Sequence, residues 1–496
     1  MYFKRSFYAC AAVLLLATLA QAQIFRGSIS GNVYDSTGAA VPDASVQLLQ
    51  SATGTTSSTV TTSAGAFVFP ALMVGTYTVT VSHSGFSTQK ISDVTVKVGT
   101  VTTIPVTLAV AAVTQTVEVS AMAANLETQQ TALNSVVSTR AVEEIPLNGR
   151  DYTQLLQLTT GYNRAGSQNG NRGDENNWQI DGVDNNDFWH NAMAFNQGSI
   201  SGVAGVLVPI DSIEEFNQQS VGGADFGRNP GSVVNVVMKA GTNQIHGSAY
   251  YFNRNEALAA TSPFTPPGAN NMLRNYNLGG SLGGPIKKDK LFLFLGFEKQ
   301  KLITPNAILA TVPSQAWVND VSAKMAAAPY NISLNPTMIT LLHTAWPWSE
   351  IQGVPATSGN FSSGDNNVEG SNNFVGRIDT NINAKNRVFV RGIIGTGDAT
   401  AYAGDVFGEY FQAVPSRQQN WAAVWTSSFT NRLVNQLLFG YNYFLQNFND
   451  ASHSLDPNAL GFHTGAIPTG TPSIGISYFN SGGVGATPNL GRTDRT

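Results

Sequence analysis

Few residues of this chain have the side chains of catalysis, and their spacing does not assemble an active site. Ser281 lies in the run GGSLG at 279–283, which matches the G-x-S-x-G pattern of serine hydrolases. That nucleophile needs a strand–turn–helix context and a histidine partner, whereas this serine lies in a glycine-rich stretch before Pro285 that favours a strand. The sequence therefore predicts that the protein has no catalytic residues and is not an enzyme.

Candidate metal ligands are also present without a metal-binding pattern. The histidines are scattered, with no H-E-x-x-H or paired spacing: His83, His190, His246, His343, His453 and His463. One oxygen-rich run suits Ca²⁺, but its spacing is not that of an EF-hand loop. It comprises Asp181, Asp184, Asn185, Asn186 and Asp187. Since Asp and Asn in loops commonly bond their own backbone, we expect structural loops here, no metal and no cofactor.

The N-terminal residues predict the compartment. Lys4 and Arg5 precede an uncharged, mostly apolar run, and Ala20 and Ala22 are small residues at the positions that signal peptidase reads. A membrane anchor needs a longer apolar run. We therefore expect residues 1–22 to be a cleaved signal peptide for export.

The composition excludes several classes of protein. Charged residues make up 12% of the chain, about half of the roughly 25% usual for soluble domains. Glycine, threonine, serine, asparagine and valine are abundant instead, which predicts a mainly β fold with strands joined by turns. The net charge of −4 offers no basic face for nucleic acid. The one cysteine, Cys10, leaves with the signal peptide, so the mature chain has no disulfide or thiolate site.

Residues 23–110 are predicted to form a β-sandwich, because short alternating strands are interrupted by frequent turns. Glycines and aromatics follow a fixed order: Gly31-x-Val33-x-Asp35-x-x-Gly38, Val41-Pro42-Asp43-Ala44, Gly65-x-Phe67, Gly75-x-Tyr77 and Gly85-Phe86. In this order the segment resembles the carboxypeptidase regulatory-like domain, which implies a small, non-catalytic sandwich related to carbohydrate-binding folds. Tyr77 and Phe86 are the candidates for stacking on a sugar, and we expect both to belong to the core instead.

The stretch 98–117 has no charged residue and could be mistaken for a transmembrane helix. Its threonines, Pro105 and many β-branched residues predict two extended strands instead.

The predicted linker at 111–121 ends in a segment that resembles a TonB box: Thr116, Val117, Glu118, Val119, Ser120 and Ala121. A TonB box adds an extended strand to the edge of a partner's sheet through main-chain hydrogen bonds. The resemblance therefore implies that these residues bind a TonB-type energising protein. The alternative is a last strand of the sandwich, and the residues alone leave both open.

Residues 122–240 are predicted to be mixed α/β, with one helix at 139–145 and a second at 152–158. The motifs come in a defined order: PLNGRD at 146–151, WQIDGVD at 178–184, IEEF at 213–216, GRNPGSVVNVV at 227–237 and KAGTNQIHGSA at 239–249. They resemble the plug domain of TonB-dependent outer-membrane receptors of the Oar-like subgroup, and the passage of that plug into its first barrel strand. The resemblance extends from about Leu126 to Lys301.

Residues 241–496 are predicted to form the first part of an antiparallel transmembrane β-barrel. Membrane barrels have strands of about 9–11 residues, joined by short periplasmic turns and long external loops. Short and long connections alternate here, the longest running from Phe297 to Asn372. We expect about seven strands, at 246–254, 276–286, 291–297, 374–382, 387–394, 420–430 and 434–448.

The predicted strands each have one apolar and one polar face. Phe374 and Ile378 point one way, and Arg377 and Asp379 point the other. A charge that faces lipid near mid-membrane costs about 2–4 kcal/mol, so the charged pair should face the lumen. Apolar stripes on later strands should face lipid: Trp421, Trp425, Phe429, Leu437, Phe439, Tyr441, Tyr443 and Leu445. A soluble sandwich would show the same alternation, but the loop asymmetry and the signal peptide favour a membrane barrel.

The number of strands suggests an incomplete chain. Transporters with plugged lumens have about 22 strands, and open sheet edges are not viable in lipid. The residues at 491–496 also lack the aromatic ending of a membrane strand. We therefore expect the chain to be truncated.

The resemblance implies a receptor or transporter in the bacterial outer membrane, in contact with lipid and with its sandwich in the periplasm. Its expected partners are a TonB-type protein and a large extracellular nutrient: a siderophore, an oligosaccharide or a peptide. The sandwich makes carbohydrate a candidate ligand. The alternative function is a surface or adhesive carbohydrate-binding protein that does not transport.

Overall fold

The computed structural model is built mainly from β-strands, which confirms the predicted fold class. It describes residues 26–110, 116–120, 134–145, 147–163, 166, 168–197, 205–220, 229–261, 263, 271–305, 309–346, 351, 359–362, 365–402, 411–430, 433–450 and 490–495. The predicted signal peptide, including Cys10, lies outside these residues.

The first part of the fold is a sandwich of two sheets. Its strands are β1 (Gly27–Asp35), β2 (Ser45–Gln50), β3 (Thr56–Val60), β4 (Ala66–Leu72), β5 (Gly75–Ser82), β6 (Thr88–Val96), β7 (Val101–Leu108) and β8 (Thr116–Ser120). One sheet has the order β4-β1-β7 and the other β3-β2-β5-β6-β8. Alternate residues such as Ile29, Val79 and Val81 are fully buried, as expected where the inner faces of two sheets meet.

The sandwich confirms two predictions made from the sequence. Tyr77 is buried and its hydroxyl donates a hydrogen bond to the Met73 carbonyl oxygen (2.7 Å), and Phe86 packs against the same core. Both aromatic rings therefore contribute to the core, as expected. The uncharged stretch 98–117 contains β7 and the start of β8, which confirms two extended strands.

The second part, which we call the plug (residues 134–238), is a mixed sheet with helical connections. Its elements are β9 (Asn134–Ser138), the helix α1 (Thr139–Glu144), β10 (Asn177–Ile180), β11 (Val183–Asp184), β12 (Ile213–Gln219) and β13 (Val233–Met238). The strand order is β11-β10-β13-β12-β9. Helix α1 lies where the sequence predicts it, and the second predicted helix, Tyr152–Leu158, is a 3₁₀ helix that places Tyr152 and Leu156 in the core.

The third part, which we call the barrel sheet, is one antiparallel sheet of eight strands. The strands after the plug are β14 (His246–Asn255), β15 (Arg274–Lys287), β16 (Leu291–Pro305), β17 (Leu309–Ala310), β18 (Phe361–Ser362), β19 (Asn366–Asn383), β20 (Asn386–Ala401), β21 (Gln412–Thr430), β22 (Leu433–Asp450) and β23 (Leu490–Arg495). Strands β17 and β18 pair with each other, and the remaining eight follow one another in chain order across the sheet.

The predicted number of about seven strands is one short. The eighth strand, β23, pairs with β22 between Tyr443 and Phe448. It covers most of the stretch at 491–496, which lacks the aromatic ending of a membrane strand. Its residues are largely polar and give no apolar alternation, so only the pairing with a neighbour identifies it.

The connection predicted from Phe297 to Asn372 is shorter at both ends than expected. Strand β16 continues to Pro305 and β19 already begins at Asn366. Most of the added strand residues are polar on both faces of the sheet, so the hydrophobic pattern does not mark them. The rest of the stretch contains helices α2 (Gln315–Ala326) and α3 (Pro336–Ala345) besides the β17–β18 pair. Among the residues given above, no helix has the length and apolarity needed to cross a membrane.

The two faces of the barrel sheet are those predicted. Phe374 and Ile378 are exposed on the outer face, while Arg377 and Asp379 are buried on the inner face against the plug. The outer face of β22 carries Phe439, which is 66% exposed. Such a face is suited to lipid and unsuited to water.

Substitution of Phe439 by Arg tests whether this face meets lipid. We expect Phe439→Arg to lower the free energy of unfolding by about 2–4 kcal/mol, and Asn435→Arg, nearer the start of the same strand and on the same face, by about 0–1 kcal/mol. The measurement is urea unfolding of the protein in lipid vesicles. Equal losses for the two variants would contradict a lipid-facing β22.

Candidate functional site between the plug and the barrel sheet

The plug reaches the barrel sheet through the turn between β10 and β11. Asp181 and Gly182 form this two-residue turn with φ of 49° and 80°, which is the backbone shape that favours Asp-Gly in tight hairpins. The turn directs the Asp181 carboxylate at the inner face of the barrel sheet. Its Oδ1 also accepts a hydrogen bond from the Met238 N–H (3.1 Å), which ties the turn to the end of β13.

Two arginines of the barrel sheet bind this carboxylate. Arg391 on β20 places Nε 3.1 Å from Asp181 Oδ2 and donates from Nη2 to the Ile180 carbonyl oxygen (2.8 Å). Arg377 on β19 places Nη1 3.7 Å from Asp181 Oδ1, and the same nitrogen donates to the Met238 carbonyl oxygen (2.8 Å). Both arginines therefore bind the plug through its backbone as well as through its charge.

The ion cluster of Asp181, Arg377, Asp379 and Arg391 is buried and balanced in charge. Arg391 is 0% exposed and Arg377 3% exposed. Asp379 accepts two hydrogen bonds from Arg377 (2.8 and 2.9 Å), and Asn420 accepts from Arg391 Nη1 (2.6 Å). A buried charge costs several kcal/mol unless it is paired and hydrogen-bonded. The two buried arginines of the barrel sheet therefore need the carboxylate that the plug supplies.

A second charged group joins the plug to the first strands of the barrel sheet. Arg150, from the PLNGRD motif, forms ion pairs with Asp211 of the plug and with Glu298 on β16, where Nε lies 3.4 Å from Oε1. The guanidinium carbon lies 4.4 Å from the ring centroid of Tyr250 and 4.6 Å from that of Phe252 on β14, within reach of a cation–π interaction. Arg150 therefore contacts two barrel strands from the plug.

The plug also approaches the wall where the wall has no side chain. A Cβ atom on Gly395 would lie 2.0 Å from a methyl carbon of Val206, and one on Gly440 would lie 2.7 Å from a methyl carbon of Val183. Both distances are too short for carbon atoms, so any side chain at these positions would displace the plug. Glycine is needed here because a valine side chain of the plug packs directly against the backbone of the barrel sheet.

Four of the five oxygen-rich residues considered for calcium accept hydrogen bonds from nearby backbone N–H groups, as expected, and the fifth, Asp181, belongs to the ion cluster. The bonds are Asn186 N–H to Asp184 (3.0 Å), Phe195 N–H to Asn185 (3.2 Å), Trp178 N–H to Asn186 (2.7 Å) and Trp189 N–H to Asp187 (2.8 Å). Within the part of the chain that the structure describes, no three His, Cys, Asp or Glu residues are grouped so as to hold a metal ion. These side chains shape the plug loops.

A cavity of about 430 Å³ lies between the plug and the barrel sheet beside Arg150. Its lining combines amides, charged groups and apolar side chains, including Ile145, Asn148, Phe252, Arg254, Asn275 and Asn277. The Oδ1 atom of Asn275 is buried there without a hydrogen-bond donor among the described residues. Such a lining suits a polar ligand better than an apolar one.

The segment that resembles a TonB box lies at the edge of the sandwich. Strand β8 pairs in parallel with β6, from Thr116 opposite Thr88 to Ser120 opposite Ser92. Ala121 lies outside the described residues. This placement matches the alternative that the sequence left open, a last strand of the sandwich, and binding of a TonB-type protein by the segment stays a prediction.

The sandwich contacts the plug at the turn between β6 and β7. Val98 donates its N–H to Glu215 Oε1 and accepts at its carbonyl oxygen from Asn217 Nδ2 (2.8 Å). Burial raises the pKa of the Glu215 carboxyl to about 7, and Glu214 adds to the rise, whereas the Val98 N–H and Lys97 oppose it. Two side chains of β12 thus hold both polar backbone groups of one sandwich residue.

Sequence reasoning found only some of these residues. It placed Arg377 and Asp379 on the inner face, where they lie, and considered Asp181 only as a calcium ligand. Arg391 was not singled out. The sequence does carry a signal for Arg391, because this charged residue lies between Phe389 and Ile393 on the inward-facing side of β20.

Removal of the Asp181 carboxylate tests the ion cluster. We expect Asp181→Ala to destabilise the docked plug by about 3–5 kcal/mol, because Arg377 and Arg391 would share only Asp379. The measurement is protease protection of the plug across a urea series. As a control, Asp174→Ala breaks a surface ion pair with Arg172 (3.1 Å) and should cost less than about 1 kcal/mol. Equal losses would contradict the assigned role.

The raised pKa of Glu215 predicts that the contact between sandwich and plug depends on pH. The folded pKa of about 7 lies above the ordinary 4.5, so the stabilisation is complete below about pH 4.5 and is lost as the pH rises through about 7. Hydrogen exchange of the β6–β7 turn should therefore be slower, relative to Glu215→Gln, at about pH 5.5 than at about pH 8.5. Glu214→Gln should keep this dependence, and a pH-independent ratio would contradict it.

Two parts of the chain match known protein families. Residues 237–496 match the family model described as outer membrane beta barrel domain, and residues 28–109 match the carboxypeptidase regulatory-like domain. The TonB-dependent transporter Oar of Myxococcus xanthus is 27% identical over 256 residues, which is 48% of this chain and 23% of that protein. The chain therefore spans about a quarter of that relative's length.

Solved structures of outer-membrane transporters are also similar. The transporter YddB from Escherichia coli has a TM-score of 0.42 and 9% identity, covering 64% of this chain and 40% of that one. The siderophore receptor PirA from Acinetobacter baumannii has a TM-score of 0.38 and 14% identity, with the same coverage. Because the family model covers more than half of the sequence, the chain belongs to the outer-membrane β-barrel domain family, with a carboxypeptidase regulatory-like domain at its front and Oar as a homologue.

Proposed function

We propose that this chain is part of a TonB-dependent transporter that takes up a large nutrient through the bacterial outer membrane. The observation that carries the proposal is the bonding of the plug to the inner face of the barrel sheet, where Asp181 inserts between Arg377 and Arg391. A plug held against the lumenal wall closes the pore at rest. Closure of this kind suits a gated transporter and does not suit an open diffusion channel.

The two sides of the plug differ in a way that fits this direction of transport. The sandwich contacts the connection between the plug and β14 at 242–244 and the short turn between β15 and β16 at 288–290. Short turns of membrane barrels are periplasmic. We therefore assign the sandwich to the periplasm, after export directed by residues 1–22. The other side of the plug carries Trp189, which is 63% exposed, and faces the outside in this assignment.

The ligand would meet the exposed loop of Phe188 and Trp189 and the cavity beside Arg150. Aromatic rings and amide groups recognise ligands with many hydroxyl or carbonyl groups. Siderophores, oligosaccharides and peptides share these groups, so all three classes stay candidates. Carbohydrate gains some support from the kind of domain that precedes the plug.

Strand β8 would be the site at which the energising protein binds. It is a short strand at the end of the five-stranded sandwich sheet, and a TonB-type protein would pair with its main chain. Recognition would depend on backbone N–H and C=O groups and would tolerate changes of side chain.

A backbone and a side-chain substitution in β8 test this assignment. We expect Val117→Pro to weaken binding of the full chain to the periplasmic domain of the TonB-type protein about tenfold or more, because proline removes a main-chain donor. Glu118→Ala keeps the main chain and should bind almost as the parent does. The measurement is biolayer interferometry, with thermal melting of the sandwich as the folding control. Equal binding by all three proteins would refute the assignment, and no binding by the parent would favour the adhesive alternative.

A further inference from the structure

One end of the sandwich contacts the barrel sheet as well as the plug. Thr55 Oγ1 accepts a hydrogen bond from Asn381 Nδ2 (2.8 Å), and Ser57 Oγ accepts one from Arg387 Nη2 (2.7 Å). Asn381 and Arg387 flank the short turn between β19 and β20. These hydrogen bonds fix the loop that leads into β3 to a turn of the barrel sheet.

The same loop also contacts a second part of the barrel sheet. Ala52 accepts a hydrogen bond at its carbonyl oxygen from the Asn243 N–H (2.9 Å), and Asn243 in turn exchanges two hydrogen bonds with Asp289 (2.6 and 2.8 Å). A Cβ atom on Gly54 would lie 2.3 Å from Asp289 Oδ1, so a side chain there would displace the Asp289 carboxylate. The contact is built from complementary surfaces.

The contact with the plug is made by the neighbouring turn of the sandwich. Besides the two hydrogen bonds of Val98, the Gly99 carbonyl oxygen accepts from Asn134 Nδ2 of β9 (3.4 Å). A Cβ atom on Gly99 would lie 2.5 Å from Asn217 Nδ2. Three plug side chains therefore surround two backbone residues of the sandwich.

These contacts all come from one end of the sandwich. Gln50 pairs with Tyr77 and Gly75 pairs with Val96, so the turns that follow β2 and β6 lie side by side. Between this end and the ion cluster lies a cavity of about 120 Å³, lined by Met73 and Val74 of the sandwich and by Asp181 and Arg377. The sandwich thus covers the buried charges that fix the plug.

We infer that the sandwich domain is a bracket that fastens the plug to the barrel wall. Because one end of a folded domain holds β12 of the plug and the turns of the barrel sheet together, the plug cannot move away from the wall without breaking one set of contacts. The bracket is independent of transport and of the ligand. It predicts that loosening the sandwich from the barrel sheet loosens the plug, although no plug residue is changed.

Hydrogen exchange of the full chain, read by mass spectrometry, tests the bracket. The variant Thr55→Ala/Ser57→Ala removes the sandwich side of two contacts and leaves the barrel sheet and the plug intact. We expect amide exchange in β10, which pairs with β11 and β13, to become about three- to tenfold faster. Ser63→Ala, an exposed substitution elsewhere in the sandwich, is the matched control and should change nothing.

A disulfide tests whether a tighter contact between the sandwich and the barrel sheet slows exchange in the plug. The pair Thr55→Cys/Asn381→Cys would be the only cysteines among residues 23–496. Its oxidation should slow exchange in β10 below the parent rate, with reversal on reduction. Unchanged β10 exchange in the double alanine variant and in the oxidised pair would overturn the bracket. If the alanine variant also speeds exchange in β5, the sandwich itself is damaged, and the disulfide result alone decides.

Discussion

The barrel sheet depends on the pairing of Asp181 with Arg377 and Arg391 as much as the plug does. The two arginines lie directly opposite each other on adjacent strands, and like charges in that position destabilise a sheet. Asp379 on the same strand compensates only one of them. A carboxylate supplied by the plug completes the balance, and the Asp-Gly turn presents it in one orientation. The register of β19 and β20, the hairpin of β10 and β11 and the end of β13 therefore depend on one another.

The rest of the contact between the plug and the barrel sheet combines apolar packing with polar bonds. Phe294 and Ile393 of the barrel sheet belong to the same buried apolar cluster as the core of the plug, and Val183 of the plug packs in a second cluster with Phe389. Ion pairs and close approach at glycines add to this packing. Apolar burial stabilises by exclusion of water, whereas hydrogen-bonded groups can exchange a protein partner for water at a modest net cost. Separation of the plug from the barrel sheet would therefore expose apolar surface as well as break polar bonds.

The sequence predicted the classes of structure better than their extents. Alternation at Phe374, Arg377 and Ile378 assigned the faces of β19 correctly, because a charge is too costly against lipid. The same reasoning failed toward the end of β16, where mostly polar residues continue the strand to Pro305 and only pairing with a neighbour marks it. The ion cluster lay beyond prediction for a related reason. Asp181 and Arg391 are 210 residues apart, and no local pattern states that a hairpin will join them.

The position of β8 along the chain has a mechanical consequence. Five residues (111–115) separate it from the sandwich residue Val110, and thirteen (121–133) separate it from the first plug strand. At full extension these tethers reach at most roughly 20 Å and 50 Å. A protein that grips β8 and pulls would stretch the shorter tether taut first, so the load would fall on the sandwich before any tension reached the plug. The lengths of the two tethers alone would then determine that the sandwich is pulled before the plug.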